Sequence, residues 1–458
     1  MGEIEQLRDQ IEGTSPALWK ALSGLGRQVE FPPDIPFQAA QAKGKRFNGT
    51  IGQVTDGAGR PLALAPVEEA LALATADRDR ALLYSPVQGL PAVREAWRRW
   101  QRRRVDDALP SSLPVVTVGL THGLSLAADL FGGPERPIAV PAPFWGNYRQ
   151  TFAVRTGARV VPASAYRDGA YNPEAIVEAL ADVEPGRPAV AILNLPSNPG
   201  GYMPTEGERR RLCAALEAEA DRRPLVVLCD DAYAGLVYEA GIARDSLFWD
   251  LIGRHERLIP IKIDGGTKEF SFFGGRVGFL TFPFEPQSDI AQALESKVKC
   301  LVRAVVGSPV ATSQVLLQRA LEAEDIEEQV EAVRLRLDRR YRVLRDALSG
   351  VDRRLMRPLP FNAGCFALIE LAEGIDPEAA RRHLLDEHDT GLISIQPGYL
   401  RIAFCSVSAA DLPELVARLE RGVAELAGHR STLNRSGRRR VRPGASRRTV
   451  PSPRRIPG

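Results

Sequence analysis

The sequence predicts an α/β fold class, with a large domain on a mostly parallel seven-stranded sheet followed by a smaller α+β domain. Three observations carry that reading. Between residues 113 and 282 seven short apolar runs recur, most of them separated by stretches with helical spacing. Most of these runs are continuously apolar rather than alternating, the pattern of strands buried on both faces of a parallel sheet. After about residue 300 the rhythm changes, and a long charged helical stretch leads into strands and helices in mixed order.

In order, the expected strands are LPVVTVGL (113–120), PIAVPAP (137–143), ARVVPASA (158–165), AVAILNLP (189–196), PLVVLCDD (224–231), LIPIKIDG (258–265) and RVGFLTFP (276–283). Between them, THGLSLAADLF, PEAIVEALADV and TEGERRRLCAALEAEAD read as helices, the last opening with Thr205 and Glu208 at capping-box spacing. In PAVREAWRRWQRRR, Val93, Trp97 and Trp100 share one helical face, which predicts docking by the tryptophans with the arginines in water rather than a nucleic-acid surface. Beyond the charged helix near 324–351, GCFALIEL, GLISIQP and YLRIAFC read as strands, and PEAARRHLLDEH and LPELVARLERGVAELAG as helices. The expected division is an N-terminal segment (1–60) joining the small domain, a large domain (61–300), a small domain (301–428) and a tail (429–458).

The chain has 458 residues, 44% hydrophobic and 26% charged, within the range of globular proteins that bury a large core. A polar, charged start and the lack of long apolar runs lead us to expect a cytoplasmic protein with no membrane partner. Five cysteines, scattered singly in segments that look buried, read as reduced core thiols. His383 and His388 are five apart and match no metal motif, so no metal is expected. The net charge of +3 conceals an arginine-rich tail without acids, whose composition predicts disorder; a solvated extension is preferred to a nucleic-acid arm.

In an open α/β sheet, ligands bind beyond the carboxyl ends of the strands, so the residues that follow each strand matter most. Gly119, Leu120 and Thr121 open a helix after the first run and offer amides and a hydroxyl to a phosphate. Trp145 follows the second, where its ring can stack on a flat cofactor. Asn198 sits in the rigid NLPSNPGG turn after the fourth. Asp230 ends the fifth, where a buried carboxylate needs a cationic partner such as a protonated ring nitrogen, and Tyr233 follows it. Lys268 lies beyond the sixth, in apolar surroundings with Arg276 eight residues on; that setting lowers an amine's pKa and makes it a nucleophile towards carbonyls. Lys262 lies inside the strand and is set aside.

This order of motifs, over roughly residues 45–410, resembles the fold type I PLP-dependent enzymes, and within them the class I/II aminotransferases related to aspartate aminotransferase. NLPSNPGG resembles the family's Asn-Pro-Thr-Gly turn, DDAY its Asp and Tyr pair, TKEFSFFGGRVGF its lysine segment, YLRIAF its substrate-binding arginine segment and YSPVQG its tyrosine loop. The resemblance implies the PLP-dependent transferase fold, pyridoxal 5′-phosphate as cofactor, and amino acid and 2-oxo acid as substrates. It implies that Lys268 forms an imine with PLP and shuttles the α-proton, that Asp230 pairs with the ring nitrogen, and that Tyr233 and Asn198 hydrogen-bond the phenolic oxygen. Trp145 would stack on the ring, while Arg276, Thr121, Gly119 and Leu120 hold the phosphate with Thr267. Tyr84 would reach the phosphate in a neighbouring subunit, which implies a homodimer with shared sites. Arg401, supported by Asn198, would clamp the substrate carboxylate beneath a loop carrying Ile51 and Gly52. Two positions depart from the family: Gly200 replaces the threonine of the turn, and Gly265 a serine three residues before the lysine. A PLP-dependent lyase or decarboxylase stays open as an alternative reaction, and a non-catalytic regulator has only the basic tail to support it.

Overall fold

The computed structural model describes residues 3–29, 34–57 and 59–437. Most of the tail lies outside the described residues, but residues 429–437, assigned to it from composition, continue the last helix, Leu412–Gly437. Each added turn extends a helix that is already nucleated, so helical structure runs past the compositional boundary.

All seven expected strands form: β1 (Val115–Thr117), β2 (Pro137–Ala142), β3 (Arg159–Ser164), β4 (Ala189–Asn194), β5 (Leu225–Asp230), β6 (Leu258–Asp264) and β7 (Gly278–Thr281). They make one sheet in the order β1-β7-β6-β5-β4-β2-β3. The pairings from β6 through to β3 are parallel, whereas β7 runs antiparallel to both β1 and β6. Strands β4 and β5 are buried nearly throughout, as their unbroken apolar sequences require.

Helices cover the sheet. α1 (Pro91–Arg102) docks by Val93, Trp97 and Trp100, and Trp97 stacks on Phe279 of β7 with ring centroids 4.5 Å apart. Burying each such side chain contributes roughly 1.5–3 kcal/mol. Not all its arginines face water, contrary to the expectation from sequence: Arg94 and Arg102 are buried because loop carbonyls, those of Pro114 and Leu109 among them, accept their guanidinium hydrogens. α2 (Gly119–Phe131) follows β1, and α3 (Glu206–Arg222) starts at the expected capping box of Thr205 and Glu208. The helix expected over 173–183 is reduced to Ala175–Glu178 between turns. A one-turn helix, α4 (Gly266–Glu269), follows β6 directly.

After α5 (Ile326–Ser349) comes a second sheet, of β8 (Met356–Pro358), β9 (Phe366–Leu371), β10 (Ile393–Ile395) and β11 (Tyr399–Ala403), in the antiparallel order β8-β9-β11-β10. Helices α6 (Pro377–Glu387) and α7 (Leu412–Gly437) pack beside it. The N-terminal segment reaches this part of the chain, since Phe47 and Asn48 pair with Thr390 and Gly391. Four of the five cysteines are free and buried as expected; Cys300 is exposed, on the outer face of its helix.

Candidate active site

The parallel strands end on one side of the sheet, and the residues singled out beyond them converge there. A cavity of about 260 Å³ is lined by Gly52, Leu120, Thr121, Trp145, Asn198, Asp230, Tyr233, Thr267, Lys268, Arg276 and Arg401. Gly119 stands just behind the cavity wall, against Arg276.

Asp230, the last residue of β5, is buried at the cavity floor. Its carboxylate accepts the Tyr148 hydroxyl at 2.5 Å and the Ala232 amide at 3.2 Å. Burial pushes its pKa up to about 6, against the pull of those two hydrogen bonds. Tyr148 is itself held neutral, first by burial and then by the neighbouring Asp230 charge. A cation brought against Asp230 would restore it as a full carboxylate.

Lys268 projects from α4 into the cavity. Its Nζ donates to the Gly52 carbonyl at 2.6 Å and stands 4.9 Å from the centre of the Phe273 ring. No carboxylate among the described residues pairs with it. Burial depresses its pKa, and the nearby Arg401 and Arg276 charges act in the same direction. Six residues earlier, Lys262 is buried between the carboxylates of Asp231 and Asp264, the latter at 3.2 Å. Burial pulls its pKa down, but the two carboxylates outweigh burial and leave it above its ordinary value.

At the other end of the cavity, Arg276 adopts a left-handed backbone with φ of 49° and lies over the first turn of α2. It has no acidic partner among the described residues. Thr267 Oγ1 nearby is buried without a hydrogen-bond partner. A cationic guanidinium, helix amides and an unpaired hydroxyl suit a phosphate. The glycine at 265 has a steric cause: a Cβ there would stand 2.4 Å from the Val277 carbonyl oxygen and 2.8 Å from Gly278 Cα. The serine of the resembling family has no room at this position.

Arg401, on β11, closes the cavity from the small-sheet side. Fully buried, it donates to Asn198 Oδ1 at 2.9 Å and to the Thr50 carbonyl at 2.6 Å, and it lies 4.3 Å over the Phe366 ring. Its Nε has no partner, and burial lowers its pKa to about 10, so it stays cationic near neutral pH.

Tyr233 is buried in the cavity wall, and burial keeps its hydroxyl protonated. Trp145 packs edge-on against Tyr148, leaving it a wall of the cavity rather than core. Tyr84 is not brought in: it is 97% exposed and outside this cavity. Sequence reasoning missed Tyr148 and Asn194, whose side chain accepts the Asn198 amide at 2.7 Å and donates to the Asp230 carbonyl at 2.9 Å. Tyr148 follows Trp145 by three residues in a segment already singled out, so a search for a donor to Asp230 could have found it there.

Such a cavity belongs to enzymes that work through a phosphorylated ring cofactor bearing a carbonyl group. The family described as aminotransferase class I and II matches residues 49–419, and the chain belongs to that family. Its activity is the transfer of an amino group between an amino acid and a 2-oxo acid, and its cofactor is pyridoxal 5′-phosphate. Among relatives, aromatic-amino-acid aminotransferase 2 of Thermococcus litoralis is 24% identical over 351 residues, 75% of this chain and 84% of that protein. The valine–pyruvate aminotransferase of Mycobacterium tuberculosis is 27% identical over 286 residues, 62% of this chain and 67% of that one. Among solved structures, an aminotransferase from Anaerococcus prevotii superposes with a TM-score of 0.75 at 20% identity, covering 87% of this chain and 98% of its own. The kynurenine aminotransferase of Pyrococcus horikoshii gives 0.74 at 16% identity, with 89% and 98% covered. These likenesses extend the match from sequence to fold. The residues present fit PLP: the unpaired Thr267 hydroxyl and Arg276 suit its phosphate, and buried Asp230 suits a protonated ring nitrogen.

Proposed function

We propose that the cavity around Lys268 carries out the transamination, with roles as follows. The observation that carries this is a buried lysine without a carboxylate partner, facing the same cavity as Asp230 and Arg401. PLP, when bound, supplies an electron sink for the substrate α-carbon. Lys268 would hold the cofactor at its carbonyl carbon and would carry the proton at the substrate α-carbon; a depressed pKa keeps more of its amine neutral for both tasks. Asp230 keeps the ring nitrogen protonated, and Tyr148 keeps Asp230 in place. Tyr233 and Asn198 would hold the phenolic oxygen, Trp145 would wall the ring, and Arg276, Thr267, Thr121, Leu120 and Gly119 would hold the phosphate. Arg401 binds the substrate carboxylate, a planar charge that its fork of donors matches.

We further propose a cytoplasmic homodimer. The five free thiols suit a reducing compartment. Leu82, Leu83 and Tyr84, at the end of a helix (Thr75–Leu82) and just beyond it, are 84%, 70% and 97% exposed, an apolar surface that a second subunit would cover, carrying Tyr84 towards the partner's phosphate. Residues 61–300 would form the cofactor-binding domain, and residues 1–60 and 301–428 the part that shuts over substrate. A panel of amino donors with 2-oxoglutarate as acceptor tests the reaction and finds its donor. Purified protein that lacks the visible absorption of lysine-bound PLP, or that releases ammonia without an acceptor, would overturn the reading.

A further inference from the structure

His383 and His388 show no metal motif by spacing, but the fold adds a third donor. His383 lies in α6 and His388 follows its last turn, while α7 passes alongside and presents Glu425. Glu425 Oε2 stands 2.8 Å from His383 Nε2 and 2.9 Å from His388 Nε2. The two rings are inclined at 72° with centroids 5.3 Å apart, so each turns an edge nitrogen towards the same carboxylate oxygen. All three donor atoms lie within 4.8 Å of one another.

The geometry points to a site for a divalent transition-metal ion of the zinc type at His383, His388 and Glu425. The oxygen lies at hydrogen-bond distance from each nitrogen, and a tetrahedral zinc with bonds of about 2.0–2.2 Å needs its donors about 3.4 Å apart, so small side-chain rotations would bring all three onto one ion. Two imidazoles and one carboxylate suit zinc, nickel or cobalt, and not the all-oxygen preference of calcium or magnesium. The surroundings are built for the rings. A Cβ on Gly422 of α7 would stand 3.1 Å from His388 Cδ2, so glycine leaves that ring its space. The His388 carbonyl is fixed by Thr390 Oγ1 at 2.8 Å and Arg418 Nη1 at 2.7 Å. The His388 side chain is 8% exposed, against 21% for His383 and 39% for Glu425, so the cluster is packed at His388 and more open at Glu425. None of the three lines the active-site cavity, and a bound ion would clasp α6 to α7.

The test uses untagged, full-length, PLP-loaded protein, stripped with a chelator, desalted and titrated with zinc against a chromophoric competitor. One ion per chain is expected, with a rise in melting temperature that magnesium does not reproduce. His383→Gln and Glu425→Gln, both at partly exposed positions, should each weaken zinc binding by about tenfold or more and abolish the thermal shift. Unchanged visible absorption of the bound PLP shows that these variants fold. Lack of stoichiometric uptake, or equal uptake by both variants, would overturn the site and leave the three residues a hydrogen-bonded clasp.

Discussion

Lys262 and Lys268 lie six residues apart, both in the interior, and their surroundings push them in opposite directions. Lys262 points from β6 between Asp231 and Asp264 and is held charged. Lys268, one turn past the end of the strand, has a carbonyl and aromatic rings for neighbours and is pushed towards its neutral form. A buried amine is thus not reactive because it is buried; it becomes reactive when burial comes without a carboxylate. Lys262 lies on the strand and Lys268 on the one-turn helix that follows it, with Gly265 between them.

Exchanging each lysine separates the two roles. Lys268→Ala should lower kcat for transamination by about 10⁴-fold or more while the fold survives, read from steady-state rates and circular dichroism. Lys262→Met should do the reverse. It leaves Asp231 and Asp264 without their cation, which costs about 3–5 kcal/mol in urea unfolding, and the protein that remains folded keeps its lysine-bound PLP absorption.

Asp230 extends the contrast to an acid. Its folded pKa of about 6 lies above the ordinary 3.8. A raised pKa means that the folded state holds more protons between those values, so the apo protein loses stability as pH rises through them. Asp230→Asn removes that loss. The apo variant should match wild type below pH about 4 and exceed it by about 3 kcal/mol at most above pH about 6, while binding PLP more weakly. A wild-type apo protein whose stability is flat across that range would refute the raised pKa. The smallest effect is expected at Gly265: Gly265→Ser should cost about 1–3 kcal/mol of stability, because its Cβ has no space beside Val277 and Gly278, and should not tighten PLP binding.

How much of this was legible in the sequence follows the range of each interaction. The seven strands were readable because burial on both faces leaves a local, unbroken apolar signature. Lys268, Asp230 and Asn198 were singled out because each follows a strand, and Arg401 because its segment resembles the family's arginine segment. The partners that tune them were not. Tyr148 meets Asp230 across 82 residues, Thr50 meets Arg401 across 351, and Glu425 meets His388 across 37, contacts that only the packed chain creates. The buried Arg94 and Arg102 were misread for a similar reason, since most of their partners are backbone carbonyls that carry no side-chain signal, and the side chain that pairs with Arg94, Glu295, lies 201 residues away. The opposite environments of Lys262 and Lys268 were not visible, because Asp231 stands 31 residues before Lys262 and Asp264 lies between the two lysines, so the sequence does not reveal which lysine they face.

The crowded backbone behind the phosphate end has one more consequence. A Cβ at Gly265 would strike Val277 and Gly278, one at Gly278 would come within 2.6 Å of the Gly119 carbonyl carbon, and one at Gly119 would meet the Arg276 guanidinium at 2.5 Å. Each glycine is locked by the next, so no single substitution can enter this corner without displacing another part of it. Ile35 and Ile51 also border the cavity, and Ile51 is half-exposed, so a change there does not have to displace this interlocked backbone.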